Sequence, residues 1–342
     1  MRIHGGSFSK STNILDVSAK LNPLGMPYTV LDAVVDYAHK CVHYHEPKCT
    51  ELTARLADFE RVSASQIVCG NGAADLIDRI VRAFRPKRAL ICAPTFSEYA
   101  YALRSADCQI TEYLLNPTMN YQLDDSFLSA ISDDLDMVFL CTPNNPTGQR
   151  ICPDLLRLIA DKCRKHNVLL VSDECFLRFT SNAEAYSFRV HFSQNCIILN
   201  AFTKLYAMPG LRLGYAVCGC ADFAERIRQT GQFWCVSVPA QAAGIAALNE
   251  VCWIEKTVRY VAAERKFLTD SLRQARLTVF DADANFLLLK APADFADEMK
   301  KRNILVRRCT DFHGLTDEHF RIAVRTHAEN LALVSAVREV TK

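Results

Sequence analysis

At 342 residues, half of them hydrophobic and 23% charged, the chain has the apolar content of one large domain or two packed closely, and too little charge to be disordered. Its formal net charge of +2 gives no long-range field toward nucleic acid or an anionic membrane, so function must be sought in local sites. Fifteen scattered cysteines without a CxxC pair, an N-terminus lacking a signal-peptide core, and no run long enough to span a membrane point to a reducing cytoplasm.

Residues 1–27 mix His4, Gly5, Gly6, Asn13, Asn22, Pro23 and Gly25 with little periodicity and read as an extended arm. Residues 28–37 follow helical spacing, with Val30, Val34 and Tyr37 on one side; residues 50–61 repeat the pattern with Leu52, Leu56 and Phe59. From Gln66 onward, short apolar runs alternate with helical stretches. Runs at 67–69, 89–92, 137–141, 168–171 and 196–199 read as buried strands. Each ends in a polar cluster: Asn71-Gly72, Pro94-Thr95, Pro143-Asn144-Asn145, Asp173-Glu174, and a loop carrying Lys204. Strands of this kind alternating with helices predict an α/β fold whose mostly parallel sheet is covered on both faces, with ligands beyond the carboxyl ends of the strands. After residue 234 the pattern changes to a long helical region over about 239–275, strands at 285–290, 304–306 and 320–324, a helix to 302 and a closing helix from 328. The expected division is an arm at 1–27, a large domain at 28–238, and a small α+β domain at 239–342 that packs with the arm.

Residues 200–215, Asn-Ala-Phe-Thr-Lys-Leu-Tyr-Ala-Met-Pro-Gly-Leu-Arg-Leu-Gly-Tyr, set Lys204 where a buried strand ends and Arg212 between glycines that let an anion approach the backbone. An amine able to lose its proton, beside a guanidinium suited to phosphate, is what pyridoxal phosphate chemistry requires; two solvated cations in a loop are the other reading of this stretch. Asn71-Gly72-Ala73-Ala74-Asp75 opens a helix, so its N–H groups suit a phosphate or form an ordinary β–α turn. Phe96 either stacks on a planar cofactor or packs in the core. Asp173, at the end of an apolar strand, either pairs with a cation such as a protonated pyridine nitrogen or caps a helix.

In sequence and in order, Asn-Gly-Ala-Ala, Pro-Thr-Phe, Pro-Asn-Asn-Pro-Thr-Gly, Ser-Asp-Glu and Phe-Thr-Lys with Gly-Leu-Arg-Leu-Gly resemble the fold-type-I pyridoxal phosphate enzymes of the aminotransferase class I/II family. The resemblance covers nearly the whole chain. It implies a seven-stranded, mostly parallel sheet between helices and a homodimer with composite active sites. It makes Lys204 the Schiff-base lysine and proton shuttle, Asp173 the partner of the pyridine nitrogen, and Asn145 the donor to the ring hydroxyl oxygen. Phe96 stacks on the ring; Ala73, Ala74 and Arg212 hold the phosphate; Thr203 and Phe176 complete the cofactor pocket; Arg321 grips the substrate carboxylate, a task suited to a guanidinium.

Two branches of the family handle phosphorylated substrates: the histidinol-phosphate aminotransferases and the threonine-phosphate decarboxylases of cobalamin biosynthesis. The arm, the run from Asp16 to Pro27, the lysine loop and Arg-Ile-Ala-Val-Arg325 are similar to the decarboxylases, as is Phe176, which stands where aminotransferases carry a tyrosine. The resemblance implies decarboxylation of L-threonine O-3-phosphate, also or instead of L-serine O-phosphate, with transamination of a phosphorylated substrate as the alternative. His4, Gly5, Lys20 and Arg307 are the candidates for the substrate phosphate, with Arg325 in reserve. Lys20 stands where the decarboxylases carry asparagine, and either strengthens the anion site or points away. Two departures touch the cofactor. Cys49 or Tyr44 occupies the place of a tyrosine that reaches the partner subunit's cofactor, and Ala201 replaces a hydroxyl residue.

Overall fold

A computed structural model describes Gly6 and residues 14–341 of the chain. The arm contributes β1 (Leu15–Asp16), followed by α1 (Tyr28–Ala38) and α2 (Thr50–Glu60). Then come β2 (Ile67–Gly70), α3 (Ala73–Phe84), β3 (Arg88–Ala93), α4 (Ser97–Ser105), β4 (Gln109–Leu114), β5 (Met137–Cys141), α5 (Pro153–Lys165) and β6 (Leu169–Asp173). The lysine loop lies between β7 (Cys196–Ala201), the single turn α6 (Phe202–Leu205) and β8 (Gly214–Cys218), after which α7 spans Ala221–Gln229. The rest comprises α8 (Val238–Ala247), α9 (Val251–Gln274), β9 (Thr278–Val279), β10 (Phe286–Lys290), α10 (Phe295–Lys301), β11 (Ile304–Leu305), β12 (Arg307–Arg308), β13 (His319–Ala323) and α11 (His327–Val340).

Seven strands form one sheet in the order β2-β8-β7-β6-β5-β3-β4, in which only β8 runs against its neighbours. Side chains of β5 alternate between two cores: Met137, Phe139 and Cys141 face α3, α4 and α7, while Val138 and Leu140 face α2, α5 and α8. β7 alternates in the same way, which is why these strands read as continuous apolar runs. Each fully buried aliphatic or aromatic side chain contributes roughly 1.5–3 kcal/mol relative to exposure, so central strands buried on both faces hold the frame. A second, antiparallel sheet in the order β12-β13-β10-β9 packs Leu287, Leu289, Phe320 and Ile322 against α9, α10 and α11, with Val17 of the arm in the same core. β1 pairs in parallel with β11, Leu15 opposite Ile304, and the Ala323 N–H donates to the Val17 carbonyl (2.7 Å), so the arm is stitched to this layer.

Three sequence expectations change. The helical region over 239–275 is two helices, because Glu250 leaves helical geometry (φ −87°, ψ 50°) and the Asn249 side chain is taken by Arg55 (2.6 Å). The run at 304–306 holds only the two-residue strand β11, and a separate strand, β12, follows at Arg307–Arg308 in a different sheet. β4 and β8 appear where no strand was expected: β4 is an edge strand, incompletely buried, and β8 is buried but opens on Gly214 of the lysine loop. No helix among the described residues is long and apolar enough to cross a membrane.

Candidate active site

The carboxyl ends of β5, β6 and β7, the start of α3 and α4, the arm and β13 surround one cavity of about 370 Å³. Of the residues expected there, Lys20, Ala73, Ala74, Phe96, Asn145, Asp173, Phe176, Thr203, Lys204, Arg212, Arg307 and Arg321 all line it. His4 and Gly5 lie outside the described residues. Arg325 pairs with Glu329 (2.9 Å), Cys49 is buried at the start of α2, and exposed Tyr44 packs at a tilt against Trp234 with ring centroids 4.9 Å apart; none of the three lines the cavity.

Asp173 closes β6 with its carboxylate buried, and two donors define it: Tyr99 Oη (2.6 Å) and the Cys175 N–H (3.0 Å). Burial, then the neighbouring Asp173 charge, pushes the Tyr99 hydroxyl well above its ordinary range, so it stays a donor. The Tyr99 ring lies flat on Phe139 (5.1 Å) and edge-on to Phe96 (5.6 Å). Sequence reasoning missed Tyr99. Its signal was its place three residues after Phe96, one helical turn along α4.

Lys204 sits in α6, held by the fold on both sides: its carbonyl accepts from the Asn22 N–H of the arm (3.0 Å), and the Phe202 N–H donates to the Leu213 carbonyl (3.1 Å). Burial, then the Arg321 charge, lowers its amine to about 8, with the Cys175 thiol opposing. Arg321, on β13, donates through Nη1 to Asn145 Oδ1 (2.5 Å) and through Nη2 to the Ser18 carbonyl (3.2 Å). Its Nε is buried with no hydrogen-bond partner, no carboxylate among the described residues pairs with it, and burial lowers it to about 10. A buried guanidinium in that state is a receptor for an anion. Asn144 is structural instead: its amide donates to the Pro94 carbonyl (2.9 Å) and Thr147 Oγ1 (3.0 Å) and accepts from Thr95 (2.8 Å), tying the loop after β5 to the loop after β3.

At the far end, Gly72 (φ +83°) precedes α3, and a Cβ there would fall 2.7 Å from Arg212 Nη2. A Cβ on Gly214 would fall 2.8 Å from the Ala73 backbone nitrogen. The guanidinium therefore lies against the first N–H groups of a twelve-residue helix only because both positions are glycine. Pyridoxal phosphate fits this donor set: a phosphate cradle at Ala73, Ala74 and Arg212, an aromatic at Phe96, a buried carboxylate at Asp173, and an amine at Lys204 that sheds its proton near neutrality.

A second cavity of about 260 Å³ lies around Glu60, Glu174 and Arg178. These three are already satisfied within the fold: Arg178 pairs with Glu60 (2.7 Å), while Glu174, raised to about 7 by burial, accepts from Ser187 (2.6 Å) and the Phe188 N–H (3.0 Å).

Comparison with known proteins agrees with this geometry. The profile described as aminotransferase class I and II matches residues 24–337. A threonine-phosphate decarboxylase of Salmonella typhimurium is 35% identical, covering 98% of this chain and 96% of its own. The structure of the histidinol-phosphate aminotransferase from Clostridium acetobutylicum superposes with a TM-score of 0.90 at 26% identity, over 96% of this chain and 99% of that one. That of L-threonine-O-3-phosphate decarboxylase from Porphyromonas gingivalis gives 0.82 at 25% identity, over 96% and 99%.

Proposed function

We propose, from the premise that this chain belongs to the aminotransferase class I and II family of pyridoxal phosphate-dependent enzymes, that it decarboxylates a phosphorylated amino acid. The substrate of this reading is L-threonine O-3-phosphate, giving (R)-1-aminopropan-2-ol O-phosphate and carbon dioxide for cobalamin biosynthesis, with L-serine O-phosphate, giving ethanolamine phosphate, as the close alternative. The observation that carries it is the 35% identity to a threonine-phosphate decarboxylase along almost the full length of both chains. Buried Phe176, packed edge-on against Phe286 (5.1 Å), supports it, because no hydroxyl stands at that position.

When bound, pyridoxal phosphate supplies an electron sink for the pair left on the substrate Cα as carbon dioxide departs. In this reading Ala73, Ala74 and Arg212 hold the cofactor phosphate, and Thr203 and Phe96 border the ring. Asp173, fixed by Tyr99, favours a protonated ring nitrogen. Arg321, braced by Asn145 and Ser18, binds the α-carboxylate and so orients the bond to be broken. Lys204 delivers to Cα the proton that takes the place of the departed carboxylate, a task suited to an amine lowered to about 8. Release of carbon dioxide from threonine phosphate or serine phosphate by the loaded protein is the expected result. Failure with both substrates overturns the reaction assigned. Glutamate-dependent exchange of the amino group instead would support the second reading, a phosphate-substrate aminotransferase, which the likeness to the histidinol-phosphate enzyme favours.

The same reading places the protein in the cytoplasm as a homodimer, with residues 1–27, 28–238 and 239–342 as arm, large domain and small domain. Support for the dimer is an exposed apolar face on α1 and the loops beside it, where Tyr28 is 84%, Tyr44 86% and Phe233 76% exposed. Light scattering is expected to give twice the chain mass; a fully active monomer would contradict it. All fifteen cysteines are free thiols, in keeping with a reducing compartment.

A further inference from the structure

We propose that the second cavity, of about 260 Å³, is a binding site for a small zwitterion, whose primary ammonium group enters between Glu174 and Asn200 while its carboxylate or phosphate stays at the mouth with Arg61 and Arg189. This cavity shares no lining residue with the first, and what it binds is independent of the reaction assigned there.

The cavity lies behind the ends of β6 and β7. Asp173 closes β6 and lines the first cavity; Glu174, the next residue, lines the second, because successive side chains at a strand end point to opposite faces. Asn200, near the end of β7, precedes Lys204 by four residues and also lines the second cavity. The Glu174 N–H donates to the Leu199 carbonyl (2.9 Å), so both side chains are carried on adjoining, hydrogen-bonded strand ends.

Asn200 is only 8% exposed, yet its amide makes no hydrogen bond among the described residues. A buried amide in that state destabilises the fold unless a ligand meets it. Glu174 is different: Oε1 accepts from Ser172 (3.2 Å) and the Phe188 N–H, and Oε2 from Ser187, but no cation among the described residues pairs with it. Burial raises its carboxyl to about 7, with Glu60 adding to the rise and the Ser187, Phe188 and Ser172 donors opposing it. A carboxylate has about four acceptor positions, so one remains open on Oε2. An ammonium group supplies the missing charge, a donor for that position and a donor for the Asn200 carbonyl oxygen.

At the mouth the balance reverses. Arg178 is committed to Glu60 and lies 4.6 Å from the Phe59 centroid, but Arg189 spends only one Nη2 bond, on the Glu60 carbonyl (2.6 Å), and exposed Arg61 makes no side-chain bond among the described residues. Glu184 stands there as well, exposed and screened by water. A cation alone meets two guanidinium groups on its way in, and an anion alone meets Glu174 at the floor. A molecule carrying both charges in that order opposes neither. Phe59, Leu177 and Val190 line the path between, which suits a short alkyl stem.

The test uses the holoenzyme with its cofactor fixed to Lys204 by borohydride, which closes the first cavity to amines. It is titrated by calorimetry with 4-aminobutyrate and O-phosphoethanolamine, whose relative affinities identify the anionic end, and with propylamine, butyrate and inorganic phosphate as half-ligands. A zwitterion is expected to bind at least roughly 10-fold more tightly than any half-ligand. Asn200→Leu should weaken it by roughly 10- to 100-fold, the span of a hydrogen bond to a charged group, and Glu174→Gln by at least about 10-fold. Arg61→Ala, on the surface, should weaken the zwitterions by up to about fivefold and leave propylamine unweakened. Without ligand, the thermal midpoint of Asn200→Leu should stay level or rise, because a partnerless buried amide has been removed. Retained absorbance of the fixed cofactor shows that each variant is folded. Failure of both zwitterions to bind overturns the proposal, as does binding that Asn200→Leu leaves unchanged, or propylamine binding as tightly as 4-aminobutyrate. A fall in the midpoint of ligand-free Asn200→Leu would show that the fold itself holds the amide, and would overturn it too.

Discussion

Lys204→Ala is expected to abolish the visible absorbance of the loaded protein and to lower turnover by at least roughly 10²–10⁴-fold, the span of a lost acid–base group, while the thermal unfolding midpoint stays unchanged or rises. The amine is partly buried with two cations acting on it, Arg321 and Arg212, so the fold holds it against its own protonation and loses nothing by its removal. A reactive lysine differs from a structural one in this respect: its environment favours the neutral form that attacks an aldehyde. The pH dependence follows from the sign of the shift. Since the folded amine is lowered from 10.5 to about 8, the neutral fraction in the cofactor-free protein rises as pH passes about 8 and is nearly complete well before an ordinary lysine would titrate. Stopped-flow loading with pyridoxal phosphate should therefore accelerate through pH about 8 and level off roughly one pH unit above it. A rate still climbing toward pH 10, or a visible band that survives in Lys204→Ala, would show that another amine is the reactive one.

The elements that a sequence can reveal here are those whose burial is two-sided. The runs forming β5, β6 and β7 alternate between two cores, so every position is apolar and each strand announces its end by the first polar residue. Those polar ends border the cavity, at Asp173 and just past β5 and β7, which made Lys204, Asp173 and Asn145 candidates from the sequence alone. Features set by tertiary partners were not visible. Tyr99 carries no mark of its role, because its acceptor Asp173 lies 74 residues away. The break between α8 and α9 depends on Arg55 capturing Asn249, 194 residues apart, in a stretch with no proline to signal it. Lys20 was undecided between pointing in and pointing away, and Asn285, 265 residues on, fixes its backbone in the inward position. Arg307 illustrates the converse. Its partner Asp311 is four residues away and was readable in principle, but the register of β12 decides that the two side chains meet.

Asp173→Asn is the second variant with a large expected effect, and Tyr99→Phe is its graded companion. The carboxylate occupies a buried strand end with Tyr99 and the Cys175 N–H as donors, and no cation among the described residues pairs with it. Such a group is costly to bury unless a positive partner arrives with the ligand, which is the argument for a protonated ring nitrogen there. The asparagine amide keeps the shape and can still accept from Tyr99, but it has no charge with which to keep that nitrogen protonated. Turnover is expected to fall by at least roughly 10²-fold, the loss of one preorganised electrostatic contact, with cofactor binding weakened alongside. Tyr99 acts through Asp173. Removing its hydroxyl takes away one hydrogen bond to a charged group, about 1.5–3 kcal/mol, and leaves the Phe139 stack intact. Cofactor affinity in Tyr99→Phe should therefore drop by about 10-fold or more, with a smaller loss in turnover than in Asp173→Asn. In the double variant the two effects should not add, because the tyrosine has no charged acceptor left to lose. Full additivity would make Tyr99 a packing residue only. Turnover in Asp173→Asn within threefold of the parent would mean that the carboxylate is not the nitrogen's partner, and that the buried charge at the end of β6 needs a different explanation.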